Sequence, residues 1–347
     1  MDAVATGARD HSRAIYFHGR WQDYLSIAVT NLLLTLVTLG IYRFWAKARS
    51  RRYLWSNTQI IDEPMEWTGT GGEMFVGFLI VMGGLILIYL AAIAMFVGLV
   101  AAKLPFLAIP MVIALYVGFI WFIGFAQFRA VRYRLSRTWW RGIRGGSDDK
   151  GATYANGALG RNLLAAITGG ILFPNALVEN WNNRWDAMSF GPHRFDSRCE
   201  SDGLLRRWMM VYGMIAMSGI LLIASRSVLG DSAFVLVPFF YLAVGLAMVG
   251  FWALFFRKAA EALTVGGLSM AFPVSSKEWL VFYLKVAALT LVTLGFGSMM
   301  FGYWRWKFVT DRLELFGEVD LDQLTQSTTT APRDAEGFAD AFDVGAF

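Results

Sequence analysis

Four long runs of apolar residues that contain no Asp, Glu, Lys or Arg dominate the pattern of the chain. They cover residues 74–102, 104–128, 208–225 and 232–256. A helix of about 20 apolar residues crosses the hydrocarbon core of a bilayer, so each run predicts a membrane-spanning helix. Only short connections around Lys103 and Arg226 separate the members of each pair, which predicts two helical hairpins over residues 73–128 and 208–256.

Three shorter runs carry Ser, Thr, Asn or Gly among their apolar residues: 24–42, 162–178 and 286–304. If each crosses once, the chain has about seven membrane helices and is an all-α polytopic membrane protein. The alternative is that these three runs dip into the membrane or lie along its surface. The strongest candidate for such a broken helix is 162–178, because it contains Gly169, Gly170 and Pro174.

The shorter runs also reveal an internal repeat. The sequence LTLVTLG at Leu34–Gly40 recurs unchanged at Leu289–Gly295, and the same offset relates Phe17 to Phe272. A weaker middle copy contains Ile167–Ile171, and a polar stretch with strand-like alternation around a turn follows each copy. The pattern therefore predicts repeats that each combine a helix with a small β-hairpin.

These observations predict eight successive segments. They are a polar N-terminal segment (1–23), a first repeat of helix and β-hairpin (24–72), a helical hairpin (73–128), a basic loop (129–157), a second repeat (158–207), a second helical hairpin (208–256), a third repeat (257–324) and an acidic tail (325–347). The tail is polar and without periodicity, which is the composition of a disordered segment.

Composition and charge agree with a membrane protein. Apolar residues make up 56% of the chain and charged residues only 16%. The net charge of +5 combines an acidic C-terminal stretch, 318–347, with a basic remainder of +11. Basic residues beside membrane spans set orientation and attract anionic headgroups, so we expect the lipid bilayer as partner and no nucleic acid. The headgroup or anion candidates are Arg49, Arg51, Arg52, Arg184 and Arg305, and a homo-oligomer is compatible with the sequence.

Orientation leaves one conflict open. Basic residues follow the apolar runs 24–42 and 104–128, which predicts that the loops after these two runs lie in the cytoplasm. Seven spans then put the 179–207 loop outside and make the two halves an inverted repeat. That loop nevertheless contains Arg184, Arg194 and Arg198, which favours the cytoplasmic side and the dipping helices.

No residue pattern indicates catalysis. The single cysteine, Cys199, and the three histidines lack metal-ligand spacing, so neither a metal nor another cofactor is expected. No nucleophile, base and metal set can be assembled, so we expect no enzyme activity, and a lipid-modifying enzyme has the least support.

A stripe of polar residues is the best candidate for a cavity lining. Asn31, Thr35 and Thr38 share one helix face, and Thr290 and Thr293 repeat the pattern. In one interpretation these side chains only allow close helix packing. In the other, the stripes line a shared cavity, with Gly40 and Gly295 breaking the helices as in transporter sites.

The first seventy residues resemble a known family. The matching stretches are Phe17–Gly19, Thr38–Tyr42, Phe44–Ala46, Arg49–Tyr53 and Trp67–Gly71, and the similarity extends over about residues 17–325. They resemble the YjgN-like bacterial inner-membrane proteins, a domain of unknown function. The resemblance implies a multi-pass protein of the bacterial inner membrane and carries no catalytic residues. Our leading hypothesis is passage of a small solute; the alternative is a non-transporting scaffold or sensor that binds a partner through its basic loops and acidic tail.

Overall fold

The computed structural model describes residues 14–317 and 325–330. Within these ranges it contains ten α-helices. They are α1 (Trp21–Val37), α2 (Arg43–Ser56), α3 (Gly71–Ala101), α4 (Ala108–Arg137), α5 (Ala152–Ile167), α6 (Phe173–Asp186), α7 (Leu204–Leu229), α8 (Val237–Glu261), α9 (Ser276–Val292) and α10 (Phe301–Thr310).

The same ranges contain eleven short strands, which the all-α prediction did not include as a sheet. They are β1 (Ile15–Phe17), β2 (Thr58–Ile60), β3 (Glu63–Pro64), β4 (Glu66–Trp67), β5 (Thr138–Trp140), β6 (Ile143–Gly146), β7 (Ser189–Phe190), β8 (His193–Ser197), β9 (Leu263–Val265), β10 (Leu268–Ala271) and β11 (Glu314–Phe316). Strands β4 to β11 form one antiparallel sheet in chain order, and β1 to β3 form a smaller one. The predicted β-hairpins are therefore parts of a shared platform.

The strands of the two sheets place all five helix pairs at the same end. Successive antiparallel strands are joined alternately by a tight turn and by a pair of helices. In such a meander the tight turns lie at one end of the strands and the helical connections at the other end. Each helix pair therefore begins and ends at the same end of the strands. The five pairs are α1–α2, α3–α4, α5–α6, α7–α8 and α9–α10.

This arrangement contradicts the inverted repeat, which put the 179–207 loop and the basic loop 129–157 on opposite sides of the membrane. Strand β7 pairs with β6 through Gly145 and Phe190, and β8 pairs with β9 through Phe195 and Val265. The 179–207 loop therefore lies beside the basic loop 129–157. Backbone hydrogen bonds between neighbouring strands exclude a membrane between these two loops.

Among the residues that the structure describes, three helical segments are long and apolar enough to cross a membrane: Gly71–Ala101, Pro105–Arg137 and Leu204–Glu261. The third contains α7, a 3₁₀ segment and α8. They correspond to the two predicted long hairpins. Seven spans are not shown, because the three shorter runs do not form single helices.

Each shorter run contains a turn between two helices. Helix α1 ends at Val37, α5 at Ile167 and α9 at Val292, so the predicted spans 24–42, 162–178 and 286–304 each fold back on themselves. The turns are closed by Gly40, Gly170 and Gly295, whose φ angles are +92°, +88° and +94°. A left-handed glycine terminates a helix because it exposes the last carbonyls to N–H groups beyond the turn.

The first part of the tail is also ordered, contrary to the prediction for 325–347. The Arg144 guanidinium donates to the carbonyl oxygen of Thr329, and Arg132 donates to that of Thr330 at 3.2 Å. The Gln326 amide donates to the Gly142 carbonyl at 2.8 Å. These bonds hold residues 325–330 against the platform, while 331–347 lie outside the described residues.

Candidate anion-binding cavity

The second helices of the three repeats, α2, α6 and α10, converge with the end of α4 around a cavity of about 380 Å³, which we call cavity A. Its lining includes five basic side chains and no Asp or Glu among the residues that the structure describes. The basic residues are Lys47, Arg51, Arg134, Arg184 and Arg305. Tryptophan rings form much of the remaining wall: Trp55, Trp181, Trp185 and Trp306.

The internal repeat explains why these helices meet around one space. Counted from the turn glycine of each repeat, Arg51, Trp181 and Trp306 occupy equivalent positions, and all three line cavity A. The same holds for the set Leu54, Arg184 and Val309. The repeats therefore present the same helix face to the centre while differing in the side chains on it.

Arg184 is the most unusual residue of this lining. It is only 8% exposed, and its Nε atom has no hydrogen-bond partner. Within the described residues its guanidinium makes no ion pair, and its contact is with the Trp181 ring, 5.4 Å from Cζ to the ring centroid. Burial, aided by the charge of Arg134, lowers the pKa of Arg184 from its ordinary value. A buried charge without a counter-charge is costly in a folded protein.

Two further hydrogen-bond donors on the same helix face lack acceptors. The Nε1 atoms of Trp181 and Trp185 are buried and unpaired, like the Nε atom of Arg184. All three residues lie on the last turns of α6 and line cavity A. Buried donors are nearly always satisfied in folded proteins. A ligand that enters here is therefore expected to present several acceptor oxygens.

The predicted anion candidates divide into two groups. Arg51, Arg184 and Arg305 meet in cavity A, where Arg51 is 5% exposed and lies over the Trp67 ring at 4.8 Å. Arg49 and Arg52 are exposed and do not line it. Helical periodicity separates them, because adjacent positions on α2 point in different directions.

The predicted hydroxyl stripes do not line cavity A. None of the seven candidates, Asn31, Thr35, Thr38, Gly40, Thr290, Thr293 and Gly295, appears among the described residues that line cavity A. The Thr38 hydroxyl donates to the Leu34 carbonyl at 2.7 Å and accepts the Tyr42 N–H at 2.9 Å. Thr293 makes the equivalent bonds to Leu289 and Gly297, both at 2.6 Å. These hydroxyls cap the turns.

Asn31 and the remaining threonines also have local partners. The Asn31 amide donates to the Ala46 carbonyl and to the Ser50 hydroxyl, both at 3.2 Å, and so ties α1 to α2. The Thr35 carbonyl accepts the Gly40 N–H at 2.7 Å, and the Thr290 carbonyl accepts the Gly295 N–H at the same distance. The stripe residues thus stabilise the fold of each repeat.

Sequence reasoning missed Lys47, Arg134 and the tryptophans as cavity residues. The turn glycines contain the signal that identifies part of this set, because counting from them aligns Lys47 with Gly302 and Ser50 with Arg305. No such signal places Arg134, which comes from the long helix α4. Among the described residues, no group of three or more His, Cys, Asp or Glu side chains is placed to hold a metal ion.

The apolar helices, the platform at one end and the basic cavity between them define a membrane protein with a polar end. Within that class, the chain belongs to the family described as "Bacterial protein of unknown function (DUF898)", whose model matches residues 12–341. This confirms the resemblance found in the sequence.

Curated relatives carry the name "Inner membrane protein YjgN". The protein of Salmonella typhimurium is 31% identical over 120 residues, which are 31% of this chain and 29% of the relative. That of Escherichia coli (strain K12) is 41% identical over 68 residues, or 20% of this chain and 17% of the relative. The matched segments thus cover less than a third of each of these relatives. No solved structure matches.

Proposed function

We propose that this protein binds a small phosphate-type anion in cavity A, at the membrane surface. The observation that carries the proposal is Arg184, a guanidinium 8% exposed whose Nε has no partner, at the wall of a cavity lined by basic side chains. The unpaired indole N–H groups of Trp181 and Trp185 support an oxyanion, since they supply neutral donors beside the charge.

The test measures binding of inorganic phosphate and pyrophosphate to the purified protein by calorimetry, at constant ionic strength with chloride as the reference anion. Removing a charged hydrogen-bond donor weakens binding by about tenfold or more, so Arg184→Gln is expected to bind at least tenfold more weakly. Arg198→Gln is the matched control, because that side chain is 81% exposed. Binding that is absent in the natural protein, or equal in both variants, contradicts the proposal and leaves the scaffold hypothesis.

We further propose a topology of four spans and three re-entrant helical hairpins in the inner membrane. Helices α1, α5 and α9 have 17, 16 and 17 residues, which corresponds to about 25 Å, too short to cross and emerge. Their turns are apolar and exposed: Leu39 is 94% and Leu294 is 89% exposed. The basic residues gather at the platform, which supports a cytoplasmic position for it.

Cysteine labelling from each side of the membrane tests this topology. In a Cys199→Ala background, Pro192→Cys lies in an exposed turn of the platform and Lys277→Cys on the exposed first turn of α9. Lys103→Cys lies in the exposed connection between α3 and α4. The first two are expected to react from the cytoplasmic side and the third from the opposite side. Labelling of both Pro192→Cys and Lys277→Cys from the outer side, the side of Lys103→Cys, would restore the inverted repeat.

Passage of the anion across the membrane is the second candidate. A second cavity of about 520 Å³, cavity B, shares Trp181 and Arg184 with cavity A and reaches Gly170 at the far end of α6. It therefore extends from the basic end toward the proposed membrane interior. Proteoliposomes loaded with radiolabelled phosphate test it: release that depends on Arg184 is expected for passage, and vesicles that stay tight exclude it.

A further inference from the structure

Cavity B lies between α5, α6 and α8 and has a polar and an apolar end. Near the platform its lining includes Tyr154, Arg184 and the Phe255 ring, and about midway it includes Asn162 and Asn180. Near the turn of the repeat it includes Ala165, Gly170 and Phe173. The distance along α6 from Phe173 to Asp186 is about 20 Å, by the rise of an α-helix. A ligand that fills both cavities must therefore change from polar to apolar along its length.

The polar end of cavity B is organised by the α5–α6 pair. The Arg161 guanidinium donates to the Asn180 side-chain oxygen at 2.8 Å, and the Asn180 amide donates to Asn162 at 3.0 Å. These bonds engage the amide groups with one another. The buried guanidinium of Arg184, shared by both cavities, remains a charged donor available to a ligand.

Beside the apolar end, aromatic residues hold the turn of the repeat. The Trp208 indole donates to the Gly170 carbonyl at 2.8 Å, the Tyr212 hydroxyl donates to the Gly169 carbonyl, and the Phe173 and Trp208 rings are 4.8 Å apart. Outside this end, Ile167 is 83% exposed, as expected for a side chain that faces lipid. The apolar end thus adjoins the surface through which a hydrocarbon chain would enter.

We propose that cavities A and B together bind an amphiphilic phosphate, with the phosphate group at Arg184 and the hydrocarbon tail along α6 toward Gly170. This inference rests on the proposed anion binding and names the ligand class. A guanidinium with neighbouring indole N–H groups matches the oxygens of a phosphate monoester. The apolar walls of cavity B stabilise the tail because they remove it from water.

A series of alkyl phosphates tests the inference. Methyl, butyl and octyl phosphate are titrated into protein held in amphipol, with inorganic phosphate as the tail-free reference. Burial of each methylene group tightens binding by up to about fourfold, so affinity is expected to rise steadily from methyl to octyl phosphate. In Arg184→Gln the whole series is expected to weaken at least tenfold. Equal affinities along the series, with phosphate still bound, overturn the inference and leave the anion site intact; absence of phosphate binding overturns both.

A blocking variant locates the tail. Ala166→Phe fills the apolar end of cavity B, whose lining includes Ala166. It is expected to abolish the gain from chain length, measured as the ratio of octyl phosphate affinity to inorganic phosphate affinity in the same variant. Leu36→Phe is the matched control, since Leu36 has the equivalent position in the first repeat and is 62% exposed. Leu177→Phe, also in the lining of cavity B, gives a second test if Ala166→Phe misfolds. A chain-length gain that persists in the folded blocking variants assigns the tail to nonspecific partitioning and overturns the inference.

Competition identifies the source of the ligand. Nanodiscs of phosphatidylcholine with and without phosphatidic acid are compared for displacement of octyl phosphate from the site. Displacement only by phosphatidic acid supports a membrane lipid as ligand. Displacement by neither supports a soluble single-chain phosphate of the same chemistry. Displacement by phosphatidylcholine alone shows that the site does not select the phosphate monoester, and it contradicts the inference.

Discussion

The turns of the three repeats are almost identical, whereas the helices that follow them differ. In each turn the glycine N–H reaches the carbonyl five residues earlier, at 2.7 Å for Gly40, Gly170 and Gly295 alike. In the following helices, one equivalent position carries Leu54, Arg184 or Val309. The backbone device is kept in all three copies, and a buried charge appears in only one of these positions.

This difference separates residues that stabilise the fold from a residue that is suited to binding a ligand. Identical turns fix where each second helix begins, so all three present corresponding faces to cavity A. Aliphatic residues at two of the equivalent positions stabilise the packing, and the guanidinium at the third does not, because its burial is uncompensated. A residue that weakens the fold where its counterparts strengthen it is a candidate for function.

Exchanging the side chains at these equivalent positions gives the largest expected effect. Leu54→Arg places a further charge beside the basic residues of cavity A, and a buried uncompensated charge lowers the free energy of unfolding by about 3–5 kcal/mol. Leu54 is 6% exposed, so the new guanidinium has little access to water. Arg184→Leu is expected to do the opposite and raise the free energy of unfolding by about 1 kcal/mol or more, in protein free of phosphate.

Reversible unfolding in mixed detergent micelles measures both variants, with Arg198→Leu as the exposed control. Added phosphate sharpens the comparison, because a ligand that binds only the folded state stabilises it. It is expected to stabilise the natural protein and not Arg184→Leu. A loss of stability in phosphate-free Arg184→Leu would mean that Arg184 holds the fold together.

The turns themselves are expected to differ in one respect, their packing. Gly40→Ala costs about 1–2 kcal/mol, because the residue has a φ of +92° and open space around it. Gly170→Ala is expected to cost more, because its new Cβ meets the Tyr212 hydroxyl, which is bonded to the turn. Gly83→Ala in α3, where nothing lies within 4 Å of a new Cβ, is expected to be neutral or slightly stabilising. Equal losses at Gly40 and Gly170 in unfolding experiments would show that Tyr212 yields easily.

The sequence predicted the long helices well and the short ones poorly, for a physical reason. A charge-free run leaves little ambiguity about α3, α4, α7 and α8. In the first and third repeats, however, the left-handed conformation begins at Leu39 and Leu294, with φ of +50° and +51°, and leucine prolongs the apolar pattern through the turn. A hydropathy pattern therefore continues where the backbone reverses.

Cavity A depends on contacts that no local pattern contains. Charge alone makes Arg51, Arg184 and Arg305 candidates for anion binding. Their convergence requires the platform, which pairs strands far apart in the chain, such as β8 with β9. The distinction between buried Arg51 and exposed Arg52 follows from helical periodicity only once the inward face of α2 is known.

The smallest expected effect concerns the N-terminal ends of α1 and α9, the first helices of the first and third repeats. In α9 the Ser275 hydroxyl accepts the Glu278 N–H at 3.3 Å, and the Glu278 carboxylate accepts the Ser275 N–H at 2.9 Å. The Ser275 hydroxyl also donates to the same carboxylate at 2.8 Å. The bonds that the carboxylate accepts, from the Ser275 backbone first and then from its hydroxyl, hold the pKa of Glu278 below its ordinary 4.5. The N-cap residue of α1, Arg20, makes no side-chain cap bond.

A carboxylate with a lowered pKa in the folded state stabilises the protein above its unfolded pKa, and this contribution is lost as the pH falls through the folded pKa. Glu278→Gln is therefore expected to lower the free energy of unfolding by less than about 1 kcal/mol at neutral pH, and by progressively less as the pH falls below 4.5. Asp23→Asn, at the equivalent first turn of α1, lacks the reciprocal bonds and is the matched control. Unfolding of the variants as a function of pH measures the difference; a Glu278→Gln deficit that stays constant into acid would show that the carboxylate charge contributes nothing to the cap.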